Sequence, residues 1–98
     1  MIQHILHWTY KDDIPNEERS RIEAALAALP DHVPSLRGLQ WGPVVGGRNH
    51  TFSHTFVMLF DDTQGLQEYT DHPAHLRFAG LFRAACAAQM VVDFEEGV

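Results

Sequence analysis

Thr51-Phe52-Ser53-His54-Thr55-Phe56-Val57-Met58-Leu59-Phe60 is a run in which every second residue is aromatic, histidine or methionine. A period of two is the signature of an extended strand, whose successive side chains point to opposite faces of a sheet. Phe52, His54, Phe56, Met58 and Phe60 share one face, and Ser53, Thr55, Val57 and Leu59 share the other. The second set is small or aliphatic rather than charged, so both faces of this strand need cover.

Outward from this run, the chain supplies the partners. Residues Met1 to Tyr10 alternate in the same way, with Ile2, His4, Leu6, Trp8 and Tyr10 on one side and Gln3, Ile5, His7 and Thr9 on the other. Lys11-Asp12-Asp13 is a polar break, and Pro15-Asn16-Glu17-Glu18 opens a helix with acidic residues in the first turn, where the helix dipole favours them. Ile22, Ala25, Leu26 and Leu29 continue it at helical spacing, and Pro30 and Pro34 are expected to end it. Leu36 to Pro43 reads as a second strand, weakened by Gly38, Gly42 and Pro43 and so suited to an edge, and Gly46 to His50 as a turn.

After the central strand, Asp61-Asp62-Thr63 offers N-caps for a short helix carrying Leu66 and Tyr69. Pro73 lacks an N–H and drives the residue before it out of the α region, so it starts a new helix rather than continuing the old one. From there Leu76, Phe78, Ala79, Leu81, Phe82, Ala85 and Cys86 make a broad apolar stripe, and Met90, Val92 and Phe94 alternate in a closing strand. The order strand, helix, strand, strand, helix, strand predicts an α+β, ferredoxin-like βαββαβ domain spanning residues 1–98, with a four-stranded antiparallel sheet and helices on one face. Trp8, Tyr10, Phe52, Phe56 and Phe60 fall on one parity, an apolar face too large to leave bare on a monomer. The expectation is a homodimer joined through the open sheet face, closing into an α+β barrel around a pocket.

Composition narrows the function. The apolar share of 45% and the charged share of 20% are those of a globular domain. A formal charge of −6, with seven Lys plus Arg against thirteen carboxylates, argues against nucleic acid and anionic membrane as partners. Cys86 is the sole cysteine, which excludes an internal disulfide framework and fits a reducing compartment, and Met1-Ile2-Gln3-His4 opens without a signal or anchor pattern. A cytoplasmic location is the expectation. Histidine, with seven copies, is the unusual residue.

The chemistry concentrates in Tyr69-Thr70-Asp71-His72-Pro73-Ala74-His75, where a helix junction holds a phenol and an imidazole. His72 is expected to be extended or to serve as an N-cap, and a kink there would turn Tyr69 and His75 toward one cavity. An imidazole keeps a lone pair near neutrality and suits a base, whereas a phenol stays protonated and suits an acid. His4 and His54 lie at matching parity on two strands and are expected to line the same cavity with Leu6, Trp8 and Phe56. A facial metal site of His4, His54 and His75 is the alternative use of three imidazoles, although the usual zinc spacings are absent. His7, His32 and His50 read as surface or loop residues.

Ile2-Gln3-His4-Ile5-Leu6, the aromatic strand ending Phe60-Asp61-Asp62 and Tyr69-Thr70-Asp71-His72-Pro73-Ala74-His75-Leu76-Arg77-Phe78 together resemble the stress-responsive A/B barrel domain (Dabb) family of the dimeric α+β barrel superfamily. The resemblance covers the whole chain and includes a plant polyketide cyclase that closes a linear poly-β-ketone by aldol condensation without metal or organic cofactor. By position it implies catalytic roles for Tyr69 and His75 and pocket roles for His4 and His54, a small hydrophobic or polyketone-like ligand, and no cofactor. Trp8 and Phe56 are bulkier than that substrate would suggest. The same resemblance leaves room for a non-catalytic ligand-binding or structural dimer, and for a cofactor-free or haem-linked oxygenase of the kind found in sister families.

Overall fold

A computed structural model describes residues 1–49 and 51–97; His50, read above as a loop residue, lies outside the described residues. The elements run β1 (Ile2–Tyr10), α1 (Asn16–His32), β2 (Gly38–Pro43), β3 (His54–Phe60), α2 (Thr63–Asp71), α3 (Pro73–Ala85) and β4 (Cys86–Glu95). All strand pairs are antiparallel and the sheet order is β2-β3-β1-β4. The ferredoxin-like βαββαβ plan expected from the sequence is therefore the fold, with β1 and β3 at the centre and the helices on one face.

The core lies between sheet and helices. Trp8, Phe56, Met58 and Phe60 on the strands are sealed against Ile22, Leu26 and Leu29 of α1 and against Tyr69, Phe78 and Phe82 of α2 and α3. Each of these large side chains contributes roughly 1.5–3 kcal/mol on burial, more than any polar contact on the surface. Here one expectation is corrected. The aromatic parity of β1 and β3 is the side that the chain's own helices cover, not the open side, so those aromatics give no argument for a second copy.

The open face is apolar for a different reason. It carries Ile5 of β1, Val57 and Leu59 of β3, and Met90, Val92 and Phe94 of β4, the last three each 45% exposed. Phe52 also belongs there. It precedes the strand, because Asn49 Oδ1 accepts from the N–H groups of Thr51 and Phe52 and Ser53 N–H donates to the Trp8 carbonyl, and its ring lies 5.8 Å from that of His7. A side-chain turn thus overrides the alternation one residue before the ladder begins.

Two element ends also differ from expectation. α1 continues through Pro30 to His32, because a proline in the last turn sacrifices one hydrogen bond while Val33 N–H still closes onto Leu29 O. Cys86-Ala87-Ala88-Gln89 is strand rather than helix: Cys86 N–H caps α3 on Arg83 O and the segment pairs with Tyr10, Thr9 and Trp8. Pairing with the central strand outweighs the helical preference of two alanines.

Candidate active site

The site is built around the one-residue junction between α2 and α3. Asp62 caps α2 by accepting from Gly65 N–H at 2.8 Å, and the helix ends where Pro73 holds His72 in the extended region, with φ −69° and ψ 137°. His72 Nδ1 accepts from Ala74 N–H at 3.0 Å, so it is the N-cap of α3. In an unbroken helix Ala74 N–H would have bonded the Thr70 carbonyl. The break frees that carbonyl, and His75 Nδ1–H donates to it at 2.9 Å. His75 is thereby fixed in one orientation, with Nε2 as the nitrogen that keeps a lone pair.

Tyr69, on the last turn of α2, is only 2% exposed, and its ring centroid lies 4.4 Å from that of His75. Its hydroxyl finds no hydrogen-bond partner among the described residues, yet it is not among the sealed, unsatisfied polar atoms; it opens into a cavity. That cavity, about 310 Å³, is lined by His4, Leu6, Phe56, Tyr69 and His75, with Phe78 and Phe82 of α3 forming another wall. The kink expected from Pro73 does turn both rings into one space.

Burial sets the protonation states. Desolvation pushes the Tyr69 phenol well above the ordinary tyrosine value, so it is a donor at any physiological pH. His75 is pulled below the ordinary histidine value first by burial and then by the positive charge of Arg83 and by His4, against the opposing hydrogen bond to Thr70. A neutral imidazole beside a protonated phenol can supply the base and the acid for proton abstraction next to a carbonyl.

The remaining expected residues divide. His4, on the cavity wall, has its ring centroid 5.9 Å from Tyr69, and its Nδ1 bonds Asp93 Oδ1 at 2.5 Å. Leu6 and Phe56 line the cavity. Trp8 and His54 do not: Trp8 is 0% exposed, and His54 stacks on its far side at 5.1 Å while its Nδ1 meets Ser53 Oγ. The register explains this. His4 pairs with Met58 and Trp8 with His54, so the two histidines share a face but stand four residues apart along the sheet, about 13 Å. The three imidazoles considered for a metal site do not converge, and among the described residues no group of three His, Cys, Asp or Glu side chains is placed to hold an ion.

Sequence reasoning missed Asp93, Gln89, Val91 and Arg83, all at this site. The signal for the first three was available only through register, since His4 pairs with Asp93, Leu6 with Val91 and Trp8 with Gln89. A larger hollow of about 880 Å³, bordered by His7, Phe52, Thr55 and Met90, lies on the open sheet face, away from Tyr69 and His75.

The chain and its fold have named relatives. Olivetolic acid cyclase of Cannabis sativa is 22% identical over 95 residues, covering 95% of this chain and 94% of its own. The structure of a hydroxynitrile lyase from Passiflora edulis superposes with a TM-score of 0.91 at 23% identity, covering 99% of this chain and 95% of its own. A dimeric ferredoxin-like protein of unknown function from Thermobifida fusca superposes with a TM-score of 0.83 at 25% identity, covering 95% and 88%. The family model described as the stress responsive A/B barrel domain matches residues 2–96, and the chain belongs to that family.

Proposed function

We propose that this protein is a small-molecule enzyme that closes a linear poly-β-ketone by an aldol-type reaction without a cofactor. The observation that carries this reading is the contact of Tyr69 and His75, one protonated and one neutral, on a cavity with apolar walls. His75 Nε2 takes a proton from the carbon between two carbonyls, and the resulting enolate attacks a carbonyl further along the chain. The Tyr69 hydroxyl donates to the oxygen on which negative charge develops. His4, oriented by Asp93, holds a carbonyl oxygen or the water released on dehydration. The two names borne by relatives, a cyclase and a hydroxynitrile lyase, both denote chemistry served by one base and one acid.

The working unit in this proposal is a homodimer joined through the open sheet face, where Met90, Val92 and Phe94 stand beside Ile5 and Val57. A related structure is dimeric, which supports a two-copy unit, and the exposed apolar residues support the face. Sedimentation of the wild type as a dimer and of Val92→Glu as a monomer is the expected result. Among the described residues no helix is long and apolar enough to cross a membrane, and the single cysteine suits the reducing cytoplasm.

Purified protein incubated with a synthetic poly-β-ketone thioester tests the chemistry. Appearance of an aromatic product faster than in buffer, with loss of that excess in His75→Ala, is expected. Equal rates with wild type and buffer across thioesters of graded chain length would remove the cyclase reading and leave the binding dimer.

A further inference from the structure

Among its described lining residues the cavity at Tyr69 and His75 has one arginine, Arg83, and no carboxylate; the nearest carboxylate named at the site, Asp93, lies behind His4 and is taken up by its Nδ1. Arg83 is exposed at the rim of the cavity, in a chain that carries six more negative than positive charges. Two other arginines are engaged: Arg37 pairs with Asp61, and Arg19 bonds the Ile14 and Lys11 carbonyls and lies over the Tyr10 ring; Arg21, Arg48 and Arg77 make no such contact among the described residues, but none of them borders this cavity. Arg83 makes no hydrogen bond or ion pair among the described residues. Its place in the last turn of α3 suits the helix dipole, but that accounts for the turn and not for the face.

His75, Ala79 and Arg83 follow at intervals of four on α3, which stacks them along the cavity wall. Eight residues of helix rise, about 12 Å, separate the backbone positions of the base and the arginine, and both side chains lean toward the helix N-terminus. The charge of Arg83 is felt at His75. Gln89 on β4 adds an amide to the same lining, and Leu6, Phe56, Phe78 and Phe82 supply the apolar surface between.

We propose that Arg83 is the anion-binding residue of this cavity, and that its ligand carries a carboxylate at the end remote from the carbon facing His75. The guanidinium takes the carboxylate in a forked contact, with Gln89 donating beside it. This rests on the cavity being the ligand site but not on the cyclisation itself. For a cyclase it selects a free acid, or a substrate whose terminal acid survives ring closure, over a neutral ketone.

The test uses two isosteric probes, naphthalene-2-carboxylate and naphthalene-2-carboxamide, titrated into the full isotope-labelled chain with the resonances of Tyr69, His75 and Phe82 followed by NMR. The wild type should bind the carboxylate roughly five- to tenfold more tightly, a preference that shrinks at high salt. Arg83→Gln should equalise the two affinities, Arg83→Lys should retain part of the preference, and Tyr69→Phe should keep it. A preference that is absent, or that survives Arg83→Gln, overturns the proposal while leaving the cyclase reading intact. If neither probe moves those resonances, the cavity takes no such ligand and this proposal falls, whereas the cyclase reading stands or falls by the thioester assay.

Discussion

Replacing Tyr69 by phenylalanine separates chemistry from stability more cleanly than any other change in this protein. The ring is 2% exposed and packs against Phe60 at 5.3 Å and His75 at 4.4 Å, and phenylalanine keeps all of that. What is removed is one hydroxyl that has no hydrogen-bond partner among the described residues and opens into the cavity. No protein hydrogen bond is lost, so unfolding free energy should change by no more than about 0.5 kcal/mol, or about 2–4 °C in Tm for a chain of this size. If the hydroxyl stabilises the developing alkoxide, its loss should slow turnover roughly 100- to 1000-fold, the usual effect of deleting one such donor. Thermal unfolding by circular dichroism and ring formation followed by absorbance give the two numbers on the same preparation. Turnover within about threefold of wild type would refute the acid role, because an effect so small is less than one ordinary hydrogen bond. A large stability loss would refute the premise that the hydroxyl is unpartnered. Because burial raises the phenol, no alkaline limb from Tyr69 should appear below about pH 10.

His75 is expected to titrate below the ordinary histidine value of 6.5, chiefly from burial, and removal of the Arg83 charge should move its NMR midpoint upward. The sign for stability follows: the unfolded chain binds that proton at higher pH than the folded one, so stability should fall as pH drops through 6.5 and be unaffected above it, as urea unfolding across pH would show. His54→Ala should leave probe affinity within about twofold, since its partners are Trp8, Tyr10 and Ser53, whereas His4→Ala should weaken binding by roughly tenfold, one hydrogen bond at the cavity. His72→Ala should cost about 1 kcal/mol as a lost cap in urea unfolding but leave the His75 midpoint in place, because Pro73 still breaks the helix and the Thr70 carbonyl stays with His75.

Tyr69 and His75 were legible as a pair because everything that joins them is local: a proline, the residue it restricts and a helix that must restart. His4 and His54 looked like a second pair because parity reports which face a side chain occupies. Parity says nothing of position along the strand, and the pairing of His4 with Met58 and Trp8 with His54 sends them to different parts of the sheet. Asp93 shows the reverse case. It sits in an unremarkable closing strand, yet the β1–β4 register sets it against His4.

The sequence by itself determined the strand and helix order, the two faces of each central strand and the break at His72–Pro73, since these depend on periods and backbone restrictions spanning a few residues. Only the tertiary structure decided that the aromatic face lies under the helices, that Phe52 turns to the opposite side, that Cys86 to Gln89 join the sheet and that Arg83 borders the cavity. The physical reason is that these outcomes depend on strand register and on which face the helices cover, both set by contacts between residues distant in the chain, which no local pattern encodes.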